Sequence, residues 1–218
     1  FLILPNQLFE KKFLNKNNNF VIWEHPHYFK SYKYNKKKLL LHRASMKYYY
    51  DYLKESNYKV KYIEFNKNPS IDNYCLFDPI DKIKLPKKYE IIESPNFILT
   101  KKDYKVYRNK SEKFFFNAFY MWGKKEIDVI PTVKSQDKHN RKKLSKNIKV
   151  PKLSSNRTDN KYIDSSVKYV NKYFDENYGN TDDFIFPTTH RTAKQWLKDF
   201  IKNKLKKFGD YQDAMAQN

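Results

Sequence analysis

Short apolar runs separated by polar connections dominate the first part of the chain. Two of them, Phe1–Pro5 and Phe20–Trp23, are continuous and apolar, as buried strands are. A third run, Lys59–Phe65, alternates polar and apolar residues, as a half-buried strand does. Tyr74–Phe77 and Glu90–Ile92 are two further short runs, each followed by a proline within three residues. The pattern therefore predicts five strands.

The connections between these runs predict how the strands pair. Lys36–Ser56 has neither Pro nor Gly, and its apolar residues recur near helical spacing, so we expect a long crossover helix. A helix between consecutive strands favours parallel pairing. The link Ile80–Tyr89 is too short for a full helix and contains Pro86, which predicts an irregular strap. The expected fold class is α/β, with a Rossmann-like open, largely parallel sheet.

The second part of the chain has helical periodicity. Helices are predicted over Lys110–Trp122, Asn160–Phe174 and Arg191–Phe208, and Thr189 is a plausible N-cap of the last one. The intervening segment Thr132–Pro151 is basic, polar and poor in large apolar residues, which is typical of a linker. We therefore predict an α/β domain over residues 1–130, a basic linker over 131–159 and a helical segment over 160–218.

Charge is the most unusual feature of the composition. The formal net charge is +21, and five arginines among 45 basic residues leave 40 lysines. Such a charge favours weak, nonspecific binding of DNA by counterion release. The alternative is that an AT-rich coding sequence, which also enriches Asn, Tyr, Phe and Ile, produced the lysines as ordinary solvated surface residues. Composition alone leaves both interpretations open.

Several classes of site are excluded by what is scarce. Three glycines cannot supply a glycine-rich phosphate loop, and the single cysteine, Cys75, cannot form a disulfide within the chain or a Cys-based metal site. No apolar run is long enough to cross a membrane, and no signal peptide is recognisable. We therefore expect no membrane partner and a reducing, cytoplasmic location.

Polar residues follow three of the predicted strands, where ligands lie in open α/β sheets. Asn6 and Gln7 follow the first run, Glu24, His25 and Pro26 follow the second, and Asp78 and Pro79 follow the fourth. Amide, carboxylate and imidazole groups suit a planar heteroaromatic ligand with several donors and acceptors. The alternative is that these groups only cap the loops.

Other candidate chemistry is sparse. His25 and His27 lie on an extended segment with no third ligand at metal-site spacing, so we predict no metal site. His42 and Arg43 lie mid-helix, either on a solvated basic face or facing an anion or a flavin-like ring. No catalytic triad, carboxylate pair or Cys/His nucleophile is recognisable by spacing, so we predict no catalytic residues.

Whole segments of the chain resemble one family. They are LPNQLF (Leu4–Phe9), EHPHYF (Glu24–Phe29), KKKLLLHRASMKYYYDYL (Lys36–Leu53), ESPNFILT (Glu93–Thr100), FFFNAFYMW (Phe114–Trp122), NRKKL (Asn140–Leu144), FPTTHRTAKQWLKDFI (Phe186–Ile201) and FGDYQDAM (Phe208–Met215). In this order they resemble the photolyase-related branch of the cryptochrome/photolyase superfamily, which includes the bacterial (6-4) photolyases.

The resemblance implies an N-terminal α/β domain that holds a light-harvesting chromophore, a ribityllumazine in the iron–sulfur members. In the complete family a helical domain holds FAD and a [4Fe-4S] cluster, and light-excited reduced FAD donates an electron to a pyrimidine lesion in DNA. The antenna-pocket residues that it implies here are Asn6, Gln7, Leu8, Glu24, His25, Pro26, His42, Arg43 and Met46.

Departures from the family pattern shape the functional expectation. The family's flavin-binding helices and cluster cysteines follow the FG-x-Y-x-DAM segment, but this chain stops at Asn218. We therefore expect a truncated antenna module that holds neither FAD nor the cluster and is not catalytic alone. It stands by itself or pairs with a separately encoded flavin-binding half. The alternative is a basic, nucleic-acid-associated remnant that has lost its chromophore.

Overall fold

The computed structural model describes residues 1–86, 88–111, 115–128, 139–140, 142–143, 160–211 and 214. Its strands are β1 (Leu2–Ile3), β2 (Asn19–Trp23), β3 (Lys59–Ile63), β4 (Tyr74–Phe77) and β5 (Tyr89–Ile92). Its helices are α1 (Pro26–Phe29), α2 (Lys36–Glu55), α3 (Lys101–Lys110), α4 (Phe116–Ile127), α5 (Asn160–Tyr173), α6 (His190–Asn203) and α7 (Leu205–Phe208). All five strands coincide with predicted apolar runs.

The sheet confirms the expected fold class. Its order is β3-β2-β1-β4-β5, and every neighbouring pair is parallel, with Leu2 opposite both Val21 and Leu76. This arrangement is a Rossmann-like α/β fold. The strand order reverses between β1 and β4, so the carboxyl ends of these two strands border the crevice where such sheets bind ligands.

Helix α2 is the predicted crossover helix, and its apolar side forms much of the core. Its N-cap is Asn35, whose Oδ1 accepts a hydrogen bond from the Lys37 amide at 2.8 Å. It packs against β3 and α5. Its buried apolar residues are Leu39, Leu40, Ala44, Met46, Tyr49 and Leu53. Burial of each leucine contributes roughly 1.5–3 kcal/mol, so this side of α2 fixes the helix on the sheet.

Two predicted helices differ from those observed. The helix expected over Lys110–Trp122 is instead the end of α3 and most of α4. A capping box of Thr100 and Asp103 starts α3, and only Tyr107 of that helix is buried, so α3 has no apolar stripe to predict it. The helix expected over Arg191–Phe208 begins after Thr189, as predicted, but α6 ends at Asn203, a residue of modest helix propensity.

The chain divides into two compact units, Phe1–Ile92 with Pro151–Lys204 and Glu93–Val150 with Leu205–Asn218. The sheet, α1, α2, α5 and α6 belong to the first, and α3, α4 and α7 to the second. The predicted division at residues 130 and 159 stays a prediction, and most of its linker lies outside the described residues. Within the described ranges, none of the helices has the length and apolar character needed to span a membrane.

Candidate functional site

Two amides join the carboxyl ends of β1 and β4. Gln7 is buried, donates from Nε2 to the Phe77 carbonyl at 2.6 Å and accepts at Oε1 from the Leu4 amide at 3.2 Å. Asn6 donates from Nδ2 to the Pro79 carbonyl at 3.2 Å. The predicted site residue Gln7 is therefore a cross-link between the two strand ends, with both polar atoms of its amide hydrogen-bonded.

His25, which follows β2, has a defined tautomer. Its Nδ1 accepts from the His27 amide at 3.0 Å, so the proton of the neutral ring is on Nε2. Nε2 then donates to the Lys84 carbonyl at 2.9 Å. His25 is also the N-cap of α1, with Pro26 at the first helical position. Burial lowers the pKa of His25, which favours this neutral form.

The connection after β4 has no helix in its described residues, as predicted, and we call residues 80–86 the strap. Besides the His25 bond, the strap is held by Tyr28, whose hydroxyl donates to Asp81 Oδ2 at 3.0 Å. Tyr74 donates to the Pro86 carbonyl at 2.8 Å. Ile80, at the start of the strap, has a φ of 70°, which is strained for a β-branched residue. The strap therefore closes over the strand ends through side chains of β4, α1 and the β2 end.

Two buried polar atoms near these strand ends have no hydrogen-bond partner among the described residues. They are Asn6 Oδ1 and His42 Nε2. The Tyr28 ring lies 6.2 Å from the His42 ring between centroids, and its hydroxyl neighbours Asn6. Burial, followed by the charge of Lys38, lowers the pKa of His42 to about 4. A neutral imidazole and an amide oxygen are thus left without partners at the crevice.

We call Asn6, His25, Tyr28, His42 and Asp81 the switch-point cluster. A buried polar atom without a partner costs about 1–3 kcal/mol. A polar, planar ligand at a topological switch point needs hydrogen-bond partners in the protein. The two atoms could provide them.

Glu24 and Arg43 lie in a different polar cluster, which is closed. Glu24 is fully buried, and its Oε1 accepts from Arg43 Nη1 at 2.6 Å and from the Tyr62 hydroxyl at 2.5 Å. Its Oε2 accepts from the Tyr169 hydroxyl at 2.9 Å and from the Phe65 amide at 3.1 Å. Four donors satisfy this carboxylate.

The same cluster also satisfies the guanidinium. Arg43 Nη2 donates to Glu64 Oε1 at 2.9 Å, and its guanidinium carbon lies 3.7 Å from the centre of the Tyr169 ring. Burial, together with the Glu24 charge, raises the pKa of both Tyr62 and Tyr169. In this structure the cluster ties α2 and α5 to the sheet.

The nine predicted antenna residues thus occupy five kinds of position. Asn6, His25 and His42 come together in the switch-point cluster, next to Pro26. Gln7 cross-links strand ends, and Glu24 and Arg43 form the closed cluster. Met46 is fully buried in the core, and Leu8 lines a separate cavity beside the start of α6.

Sequence reasoning missed Tyr28, Asp81, Tyr62 and Tyr169. Tyr28 could have been found as part of the EHPHYF segment. Tyr169 directly precedes Val170 on the apolar side of α5, but no periodicity distinguishes a tyrosine that donates to a carboxylate from one that only packs. In the part of the chain that the structure describes, no three His, Cys, Asp or Glu side chains converge as a metal site.

Five parallel strands in this order define a Rossmann-like α/β domain, and polar residues lie at its switch point. The chain belongs to the deoxyribodipyrimidine photo-lyase-related protein family, which matches residues 1–82 and 70–186. It is also similar to Uncharacterized protein R852 of Acanthamoeba polyphaga mimivirus, with 33% identity in a match that covers 67% of this chain and 95% of the viral protein. The family resemblance stated from the sequence is confirmed.

Proposed function

We propose that this photolyase-related chain is a light-harvesting antenna module. It would hold a planar chromophore of the ribityllumazine type over the carboxyl ends of β1, β2 and β4. The observation that supports this proposal is the pair of unpartnered, buried polar atoms, Asn6 Oδ1 and His42 Nε2, in the switch-point cluster. Family membership supports it independently.

The chemistry of the cluster fits such a ligand. Asn6 Oδ1 is an acceptor, so it suits an N–H or O–H group of the ligand. Neutral His42 offers either a donor or an acceptor at Nε2, and Tyr28 adds an aromatic ring. A lumazine has carbonyl oxygens and ring nitrogens that complement these groups. When bound, the chromophore supplies absorption of near-ultraviolet and blue light.

The strap gives this site a cover. Its bonds from His25 and Tyr28 close it over the strand ends, and a ligand enters when they break and re-form around it. Closure excludes water, which strengthens the polar contacts inside. We further propose that the excitation passes to FAD on a separately encoded flavin-binding partner, to which the [4Fe-4S] cluster also belongs.

Titration of the purified chain with a ribityllumazine, followed by the absorption and fluorescence of the ligand, tests the antenna role. We expect saturable binding that Asn6→Ala and His42→Leu each weaken roughly 3- to 10-fold, because each change removes one hydrogen bond. The exposed Asn17→Ala and His139→Leu are the matched controls and should bind as the wild type does. Absence of saturable binding, or equal binding by all four variants, would contradict the proposal.

A second candidate function is weak, nonspecific binding of DNA, which the net charge of +21 favours. Fluorescence anisotropy with labelled duplexes of unrelated sequence tests it. We expect equal affinity for each duplex and a fall of at least tenfold between about 50 mM and about 200 mM salt. Affinity that differs between sequences or is insensitive to salt would exclude this role.

A further inference from the structure

A cavity of about 170 Å³ lies beside the start of α6, within the first compact unit. Its walls come from α2, from the loop after β1, from the segment that leads into α6 and from the first turn of α6. The residues that matter for its chemistry are Leu8, Tyr48, Tyr49, Pro187, His190 and Ala193. No member of the switch-point cluster lines this cavity, so its chemistry is separate from the proposed antenna site.

His190 gives the cavity a polar wall with a defined tautomer. Its Nε2 lies 2.8 Å from the Leu8 carbonyl oxygen, which can only accept, so Nε2 carries a proton. In the neutral ring Nδ1 is then an acceptor. Nδ1 is buried and has no hydrogen-bond partner among the described residues. His190 Nδ1 is therefore a hydrogen-bond acceptor to which none of the described residues donates.

Tyrosine rings hold this imidazole in place. Its centroid lies 5.9 Å from the Tyr48 ring, 5.8 Å from the Tyr49 ring and 5.2 Å from the Tyr52 ring, and all three contacts are T-shaped. The imidazole is thus positioned before any ligand arrives, and Tyr48 and Tyr49 also supply aromatic surface to the cavity.

The volume of the cavity, which is partly open to solvent, matches one ring. An apolar cavity of about 150 Å³ holds benzene, so a six-membered aromatic ring fits within this one. We propose that the cavity binds a free, single-ring phenol, whose hydroxyl donates to His190 Nδ1 and whose ring packs against Tyr48 and Tyr49.

Titration of the full chain with phenol and with toluene, its methyl isostere, tests the proposal by saturation-transfer NMR. We expect phenol to bind roughly 5-fold more tightly than toluene, because only phenol supplies the missing donor. We also expect the ¹⁵N resonance of His190 Nδ1 to shift upfield with phenol alone. Equal binding of the two ligands, or no binding because an ordered water completes His190, would overturn the proposal.

Variants locate the binding site. Ala193→Phe places a ring at the rim of the cavity and should abolish binding of both ligands. Ala118→Phe adds the same ring to an exposed position of α4 and should leave binding unchanged. If Ala193→Phe does not fold, Ala193→Leu is the smaller substitute, with the melting temperature as the check on folding. Retained phenol binding by a folded Ala193 variant would refute this location.

Discussion

At the scale of single residues, the closed cluster around Glu24 shows how a charge is tolerated in this core. Arg43, Tyr62, Tyr169 and the Phe65 amide all donate to one carboxylate that has no contact with solvent. Removing one partner from a buried ion cluster is costly, because the remaining charge loses compensation without regaining water. Each donor should therefore affect stability more than an ordinary surface hydrogen bond.

Tyr169→Phe should lower the free energy of unfolding by about 1.5–3 kcal/mol, the usual worth of a hydrogen bond to a charged group. Tyr173→Phe is the matched control, because it makes the same change on the same helix at a side chain that is 44% exposed. It should cost less than about 0.5 kcal/mol. Urea unfolding measures both values, and equal effects would show that Tyr169 only packs.

His42 predicts a pH dependence of stability. Its pKa is about 4 in the folded chain and about 6.5 when unfolded, so the folded state binds fewer protons. Stability is therefore fully present above pH 6.5 and is lost as the pH falls toward 4. At pH 5 the loss from this residue should be about 2 kcal/mol, at 1.36 kcal/mol per pH unit.

Urea unfolding at about pH 7.5 and about pH 5 measures this loss. His42→Leu should remove it and leave the smaller part that comes from His25, whose pKa is also lowered. His139→Gln, at an exposed position, should retain the wild-type loss. An unchanged difference in His42→Leu would assign the effect to other groups.

At the scale of elements, apolar patterning predicted the sheet and three helices, α2, α5 and α6. It failed where an element buries little. In α3 only Tyr107 is buried, so its start is defined by the Thr100–Asp103 capping box. The four-residue α1 is too short to have a helical period of apolar residues. Its start is defined by the side chain of His25 as N-cap.

The N-cap of α6 should contribute measurably to the free energy of unfolding. Thr189 Oγ1 accepts from the Thr192 amide at 3.1 Å, and both side chains are buried. Thr189→Ala should therefore cost about 1 kcal/mol in urea unfolding, within a range of roughly 0.5–2 kcal/mol. Thr189→Ser keeps the hydroxyl and should recover most of that loss. Equal destabilisation by Ala and Ser would mean that the lost methyl contact, and not the cap, stabilises this position.

At the scale of the whole molecule, the sequence predicted part of the candidate site. Position after a strand was enough to indicate Asn6 and His25, and the family segment indicated His42. The sequence could not reveal that Glu24 and Arg43 belong to the closed cluster, because their partner Tyr169 lies 145 residues from Glu24. The sequence also could not predict that Leu8 lies next to α6. Only the structure shows the hydrogen bond between the Leu8 carbonyl and His190.

Two segments far apart along the chain, Phe1–Ile92 and Pro151–Lys204, share the first compact unit, so α5 should unfold together with the sheet. In native-state hydrogen exchange, the amides of α5 should have the same opening free energy as those of α2 and β2. Tyr169→Phe should lower all three by the same amount. Exchange from α5 at a much lower free energy than from α2 would show that α5 opens separately.

The distance along the chain between Glu24 and its last donor also has a consequence for biosynthesis. A ribosome that adds about 5–20 residues per second needs about 7–29 s to make the 145 residues that separate Glu24 from Tyr169. Throughout that interval Glu24 has an incomplete set of hydrogen-bond donors. Chaperones therefore have time to engage the incomplete core before α5 is synthesised.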